Sequence, residues 1–426
     1  MPSQLATLVY KMTLLNILMI MSYHMSSTYL VLYITDWVGV GGFTLLFSAG
    51  MVTQTILDYP SGGLGDRFGY RTVLSVAYVL HIIALIVLTC STDLVGFAFY
   101  FFLKSIANSQ ESGALQSWFD TQYQHLSASN VFDIDRKIYG LYYGRLTVVL
   151  QISSAPVFVL SGFLAGSFGR KFLFISQALL TFPVLLFIIL YINSVHTSES
   201  QNLSSWTFRK VWRSYLRTLK TGVKYVAHVK GLFFFLISQS LATVAITLWL
   251  RFIFFFVLIG YTGTDELAGI LRSALYLVSI FVGYFTASMS KRLDPGTWIP
   301  RLLVLWSVVF FGGYIAMMLV WPLSNTLVIP AVLVMVLILS PASSVIVPSY
   351  MIAQRKLMSQ VVPSEVRNSV YSLIPTFVTI LLPFMALILG ELVSLQGLMT
   401  GLIFLSSILL LSSLFGLSTR KLHSID

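Results

Sequence analysis

Charged residues are scarce in this chain. Only 10% of its 426 residues are charged and 57% are hydrophobic, with a mean hydropathy of +0.86. Soluble domains contain about 25% charged residues, so the composition excludes an ordinary water-soluble protein and indicates a multi-pass protein of the cell membrane. The net charge of +11 does not indicate nucleic-acid binding, because the basic residues are spread over the ends of apolar runs.

Cysteine pairs and nucleotide-binding motifs are also missing. The single cysteine, Cys90, excludes an internal disulfide and a cysteine-based metal site. The absence of a Gly-x-x-x-x-Gly-Lys-Ser/Thr loop excludes ATP hydrolysis of that type. The histidines lie on separate segments, which argues against an intramembrane enzyme. We therefore expect no cofactor and no metal ion.

Long apolar runs make up most of the chain. Each run can cross a bilayer as a helix and is too long for a barrel strand. The sequence therefore predicts an all-α membrane protein of twelve transmembrane helices, in an N-terminal six-helix bundle (1–194), a cytoplasmic linker (195–230) and a C-terminal six-helix bundle (231–426). The runs lie at about 9–35, 43–61, 73–91, 94–122, 138–167, 171–194, 231–258, 264–289, 300–321, 326–353, 367–392 and 397–417.

Lysine and arginine are distributed asymmetrically. Of the 26, 20 fall on one side of the membrane and only Arg170 and Lys171 on the other, the rest lying within the runs. This bias places both termini in the cytoplasm. In the linker, residues 208–227 have an apolar stripe at helical spacing with basic residues beside it. They predict an amphipathic helix that lies on membrane lipids, and a calmodulin-type target helix is the alternative.

A short polar loop separates the second run from the third. Residues Gly62–Thr72 read Gly-Gly-Leu-Gly-Asp-Arg-Phe-Gly-Tyr-Arg-Thr. The glycines permit a tight turn, and Asp66 can accept hydrogen bonds from helix-end N–H groups. Arg67 and Arg71 hold the loop on the cytoplasmic side. A generic glycine-rich turn would share these features.

The loop resembles the signature loop between the second and third helices of the major facilitator superfamily. Three further segments, Asp58–Gly62, Ser112–Asp120 and Pro363–Leu373, resemble patterns of its broad prokaryotic group. The resemblance implies a central cavity between the two bundles, lined mainly by helices one, four, seven and ten, and transport by alternating access. It also implies a gating role near the cytoplasmic face for Asp58, Gly63, Asp66, Arg67, Arg71, Asp120, Arg145 and Arg367.

Ionisable groups within the runs are costly in a membrane and need a reason. Lys104, Asn108 and Glu111 share one face of the fourth helix, because they are spaced by four and three residues. They form either a substrate or proton site, or a structural set in which each side chain bonds a neighbouring helix. His24 in the first run is either a proton relay or a neutral hydrogen-bonded residue. We assign His81 in the third run to packing.

Polar groups also interrupt the seventh and eighth runs, at Gln239, Arg251 and Arg272. The two arginines can receive an anionic group of a solute. Alternatively, and preferred here, they reach the membrane surface or pair with Asp36, Glu266 or Glu391.

These residues favour a secondary transporter of a small molecule, acting as a monomer. The first expectation is proton-coupled export by antiport of an amphipathic organic solute, which rests on Glu111, His24 and an aromatic content of 14%. The alternative is uptake or exchange of an organic anion, which rests on Lys104 and the two arginines. A non-transporting receptor or scaffold on the same fold is the alternative of another class.

Overall fold

The computed structural model describes most of the chain. The described residues are 3–61, 68–111, 114–129, 137–192, 208–290, 294–320, 339–362, 366, 370 and 373–419. All regular elements in these ranges are helical, and the predicted all-α membrane fold is confirmed. Eight helical stretches there are long and apolar enough to cross a membrane: Ser3–Asp58, Tyr70–Cys90, Val148–Phe168, Arg170–Tyr191, Gly231–Thr262, Pro295–Leu319, Leu373–Gln396 and Leu398–Gly416.

The described residues form sixteen α-helices, of which eight end by His228 and eight begin at Lys230 or later. The first eight are α1 Ser3–Ser27, α2 Leu30–Ser61, α3 Tyr70–Cys90, α4 Leu94–Glu111, α5 Ala114–Ser129, α6 Lys137–Phe168, α7 Arg170–Tyr191 and α8 Phe208–His228. The others are α9 Lys230–Leu248, α10 Phe254–Thr262, α11 Asp265–Ser290, α12 Pro295–Leu305, α13 Gly312–Val320, α14 Ser340–Val361, α15 Leu373–Gln396 and α16 Leu398–Gly416. These bounds refer to the described residues; the first part of the tenth run, 326–338, lies outside them.

Two π-helical segments interrupt the apolar helices of the second series. Trp249–Ile253 joins α9 to α10, and Trp306–Phe311 joins α12 to α13. A π segment adds a residue to the turn and re-aims the side chains around it. The first segment includes Arg251, the arginine predicted in the seventh run.

The first predicted run is not one continuous helix. α1 ends at Ser27 and α2 begins at Leu30, with the Tyr29 N–H donating to the Ser26 carbonyl at 2.9 Å. α2 then bends at Gly39, whose φ of 70° and ψ of 173° suit a residue without a Cβ atom. This bend lies in the predicted gap between the first and second runs, and the break before Leu30 was not predicted.

The chain forms two compact units. Unit 1 comprises Met1–Trp37 and Ala49–Trp212, and unit 2 comprises Val38–Ser48 and Arg213–Asp426. The last boundary lies inside the predicted linker. The segment Val38–Ser48, which the sequence assigned to the N-terminal bundle, packs with unit 2.

In unit 1, α3 packs against α4 and α7, and α1 packs against α6 and α7. The described core is rich in aromatic and aliphatic side chains, among them Leu5, Leu15, Leu74, Trp118, Phe119, Tyr123, Val184 and Ile188. Because lipid is as apolar as these residues, close packing and hydrogen bonds hold such helices together. The α3–α4 contact therefore positions the polar groups that the two helices carry.

In unit 2, α9 packs against α15 and α16. Ser238 on α9 and Ser412 on α16 each donate a hydroxyl hydrogen bond to the other's carbonyl oxygen at 2.7 Å. Such small residues let two helices approach closely. The Trp249 ring lies 5.2 Å from the Phe310 ring and 5.0 Å from the Tyr314 ring, so the two π segments share one aromatic core.

Candidate solute and proton site

Four polar side chains of α3 and α4 form a hydrogen-bonded chain in unit 1, here called the α3–α4 cluster: Tyr78, His81, Lys104 and Glu111. Lys104 Nζ lies 3.1 Å from His81 Nδ1. His81 Nε2 lies 2.8 Å from Glu111 Oε2. The Tyr78 hydroxyl donates to Glu111 Oε1 at 3.0 Å. The imidazole thus bridges a cation and a carboxylate of the same helix.

The chemistry of the partners determines which atom donates in each hydrogen bond of the cluster. A lysine ammonium has only donors, so His81 Nδ1 must be the acceptor. A neutral imidazole then carries its proton on Nε2 and donates it to Glu111. Both oxygens of the carboxylate therefore accept a hydrogen bond. The charges of Lys104 and Glu111 cancel within the cluster.

Local spacing explains why these groups meet. Tyr78 and His81 are three residues apart on α3, and Lys104 and Glu111 are seven apart on α4, so each pair shares one helix face. α3 packs along α4, which brings the two faces together. The His81 side chain is 6% exposed and that of Glu111 is 27% exposed. The imidazole is therefore almost enclosed by protein, whereas part of the carboxylate lies at the surface of unit 1.

Asn108 does not join this cluster, although the sequence groups it with Lys104 and Glu111. Its amide nitrogen donates instead to Gln54 Oε1 on α2 at 3.3 Å. The three side chains on this face of α4 therefore contact two neighbouring helices. Asn108 contacts α2, whereas Lys104 and Glu111 contact α3. His81, which we assigned to packing, is the central member of the cluster. The sequence signal that could have identified His81 is its spacing of three residues from Tyr78, which places both side chains on one face of α3.

His24 lies beside the break between α1 and α2. Its ring is buried, its Nδ1 lies 3.3 Å from the Ser27 hydroxyl, and its centroid lies 4.6 Å from that of Phe158. Nearby, the Ser26 hydroxyl donates to the Gln177 side chain of α7. This second polar site of unit 1 lies where the first span is interrupted, a feature that transporters use to form ion and solute sites.

The polar residues predicted in the seventh and eighth runs occupy three different environments of unit 2. Gln239 accepts a hydrogen bond from the Tyr350 hydroxyl at 3.1 Å, and both side chains are buried. The buried Arg272 places its guanidinium 4.9 Å from the centre of the Phe255 ring. Arg251 is exposed. The structure does not bring these three residues into one site.

Arg251 borders a shallow depression in unit 2. The empty volume is about 220 Å³, including space open to solvent, and the lining is otherwise mainly apolar: Phe43, Thr44, Phe47, Leu248, Phe252 and Ala386. Phe43 and Phe252 are stacked at 5.6 Å. Asp36, one of the predicted partners of the two arginines, pairs with Arg170 instead, at 2.9 Å.

The predicted gating residues are only partly described. Gly63, Asp66, Arg67 and Arg367 lie outside the described residues. Arg71 and Arg145 are exposed, whereas Asp58 and Asp120 are half-buried. Within the described ranges Arg145 does not pair with Asp120. In the same ranges no three His, Cys, Asp or Glu side chains are placed to hold a metal ion.

A multi-pass helical chain with charged groups held between its helices has the architecture of a membrane transporter. The family model of the Major Facilitator Superfamily matches residues 12–386. The chain belongs to this superfamily, so it is an integral membrane transporter and not an enzyme. No curated protein sequence matches the chain.

Solved transporters share the fold at low sequence identity. The nucleoside transporter NupG has a TM-score of 0.69 at 12% identity, over 98% of this chain and 100% of that one. A D-xylose-proton symporter has a TM-score of 0.67 at 13% identity, over 96% and 97%. The human organic anion transporter MFSD10 (TETRAN) has a TM-score of 0.56 at 16% identity, over 98% and 100%.

Proposed function

We propose that the protein is a secondary active transporter that moves a small amphipathic organic solute by alternating access, coupled to protons through the α3–α4 cluster. The observation that carries the proposal is the Lys104–His81–Glu111 chain. Charged groups within membrane spans are costly, and where they occur they commonly mark ion, proton or solute pathways. A structural role alone would be served by apolar residues of similar size, which often pack at least as stably.

Two directions of coupling follow from different members of the cluster. Export by proton antiport, our first expectation, requires that the solute and the proton compete for Glu111. Uptake or exchange of an organic anion is the second candidate. This candidate is favoured by Lys104, which is linked to the Glu111 carboxylate through His81. It is also favoured by the exposed Arg251 beside an apolar depression. Among the solved relatives, one is named a proton symporter and another an organic anion transporter.

The remaining expectations concern gating, topology and assembly. We propose that Asp58, Gly63, Asp66, Arg67, Arg71, Asp120, Arg145 and Arg367 control the cytoplasmic gate. The protein acts as a monomer in the cell membrane, with both termini in the cytoplasm and the domain boundaries predicted from the sequence. We also propose that His24 and Asn108 in unit 1, and separately Gln239 and Arg272 in unit 2, take part in solute or proton binding.

The helix α8 supports the proposed contact with membrane lipids. Arg213, Arg217, Lys220 and Lys224 are exposed and recur at spacings of three and four, so they form one basic stripe. Leu216 and Val223, seven residues apart, are exposed beside them. This combination is typical of a helix that lies on an anionic membrane surface.

Glu111→Gln tests the proton coupling. A solute found by a thermal-shift screen, which detects ligands that stabilise the folded state, is followed in proteoliposomes under an imposed pH gradient. Wild-type protein should accumulate the solute, and Glu111→Gln should only equilibrate it. Asp36→Asn is the matched control, because it neutralises an exposed carboxylate outside the cluster. Accumulation by Glu111→Gln at the wild-type rate would refute the coupling, and saturable binding without flux would favour the receptor alternative.

A further inference from the structure

We propose that a proton and an anionic solute bind cooperatively to the α3–α4 cluster, and that His81 links them. The anion draws the Lys104 ammonium away from His81 Nδ1, and that nitrogen then takes up the proton. This inference rests on the proposed proton coupling and specifies the solute as an amphipathic organic monoanion. It also specifies cotransport of proton and anion, in contrast to the antiport expected first.

The geometry makes the lysine contact and the proton mutually exclusive. A neutral imidazole has a single acceptor nitrogen, and in His81 this nitrogen faces Lys104 Nζ at 3.1 Å. A proton on Nδ1 would place two donors and two positive charges at that distance. Lys104 must therefore leave before His81 can be protonated. A displaced ammonium in a membrane span requires an anion, which the solute supplies.

The rest of the cluster is already arranged for the protonated state. Nε2 of His81 donates to Glu111 Oε2 whether or not Nδ1 carries a proton. The carboxylate, which also accepts the Tyr78 hydroxyl, then becomes the counter-ion of the imidazolium. The proton comes from water on the Lys104 side of the ring, where the lysine side chain is half-buried, and it resides on Nδ1, the nitrogen that the ammonium leaves.

Charge balance gives the sign of the cooperativity. The empty cluster is neutral, with one ammonium and one carboxylate. An anion alone leaves it with an excess negative charge, and a proton alone leaves it with an excess positive charge. With both bound it is neutral again. Because uncompensated charge is costly in a membrane span, each ligand strengthens the binding of the other by the same factor.

No other ionisable group of the described chain competes for His81. The helices packed on α3 are α4, α5 and α7, and α4 presents Lys104 and Glu111. None of the ionisable side chains of α5 and α7 forms a hydrogen bond or ion pair with His81 in the described part. These side chains are Asp120, Tyr123, His125, Arg170, Lys171 and Tyr191.

A pH-independent anion tests the linkage directly. The probe is naphthalene-2-sulfonate, which stays ionised from about pH 5.5 to pH 8.5, and naphthalene-2-sulfonamide is its neutral analogue. Calorimetry with the full chain in lipid nanodiscs, in buffers of different ionisation enthalpy, counts the protons taken up. One proton should enter with each sulfonate, and the affinity should rise up to about tenfold for each unit of falling pH. The sulfonamide should show neither effect.

Two variants separate His81 from other sources of pH dependence. His81→Gln keeps an acceptor for Lys104 but cannot be protonated, so sulfonate binding should persist without proton uptake. His125→Gln removes an exposed histidine of α5 outside the cluster and should behave like wild type. Lys104→Met should lose sulfonate binding, and Lys104→Arg should retain it.

Several results would overturn the linkage. They are proton release on sulfonate binding, unchanged proton uptake in His81→Gln, and no binding of either probe at any pH. The wild-type proton count decides the sign even if a variant fails to fold. If Glu111→Gln abolishes proton-driven accumulation while sulfonate binding releases protons, the proposed coupling stands and this linkage falls. If Glu111→Gln accumulates solute normally, the proposed coupling itself fails.

Discussion

Removal of the Glu111 carboxylate tests whether the α3–α4 cluster is one coupled unit. Glu111→Ala deletes the acceptor of two hydrogen bonds, from Tyr78 at 3.0 Å and from His81 at 2.8 Å. It also leaves the Lys104 charge without its carboxylate. Breaking a buried ion pair by removing one partner costs about 3–5 kcal/mol. The 27% exposure of Glu111 places the expected cost at the lower end, about 3 kcal/mol.

A double-mutant cycle with Lys104→Met isolates the interaction. If the cluster is coupled as its geometry indicates, the double variant should be less destabilised than the sum of the single variants, by about 1–3 kcal/mol. The free energy of unfolding is measured by SDS titration, with helix content as the readout. The exposed pair Asp36–Arg170 provides the control cycle, with an expected coupling of about 1 kcal/mol or less. Additivity of Glu111→Ala and Lys104→Met within about 0.5 kcal/mol would refute the reasoning.

Four further substitutions test packing, hydrogen bonding and backbone conformation through the shift in melting temperature. Gly390→Ala should destabilise unit 2 by about 1–3 kcal/mol, because the added Cβ would lie 2.6 Å from Thr44 Cγ2; an unchanged melting temperature would contradict this contact. Gly263→Ala should cost about 1 kcal/mol, since its φ of +71° disfavours a side chain. Gly260→Ala lies inside α10, three residues before Gly263, with open space around it; it should cost less, and equal costs would exclude backbone strain. Tyr350→Phe should cost about 1–3 kcal/mol by leaving a buried amide oxygen of α9 without its donor, and a neutral effect would argue against that bond.

Much of the fold could be predicted from the sequence because lipid imposes a simple rule. Spans must be long, apolar and helical, so the apolar runs are helical almost throughout the described chain, although several helices begin and end elsewhere than the runs do. The break between Ser27 and Leu30 could not be predicted in this way. The polar groups around it bond to one another or to α7, and such tertiary contacts cannot be recognised from the pattern of apolar residues. The π segments are equally invisible, since they alter hydrogen bonding without altering composition.

The candidate site was predictable only along single helices. Spacing put Lys104, Asn108 and Glu111 on one face of α4, and both ends of that set lie in the cluster. Which neighbouring helix each side chain meets depends on tertiary packing, so Asn108 bonding α2 and His81 bridging the two charges were not predicted. For the same reason the sequence could not predict that Arg251 is exposed whereas Arg272 is buried against Phe255.

Proton movement driven by the solute tests the central claim most directly. Proteoliposomes loaded with a pH-sensitive dye and containing the purified protein receive the solute in the absence of a pH gradient. Coupling through the α3–α4 cluster predicts a change in lumenal pH with wild-type protein and none with Glu111→Gln, although both bind the solute. An equal change in lumenal pH per solute transported by Glu111→Gln would contradict the account.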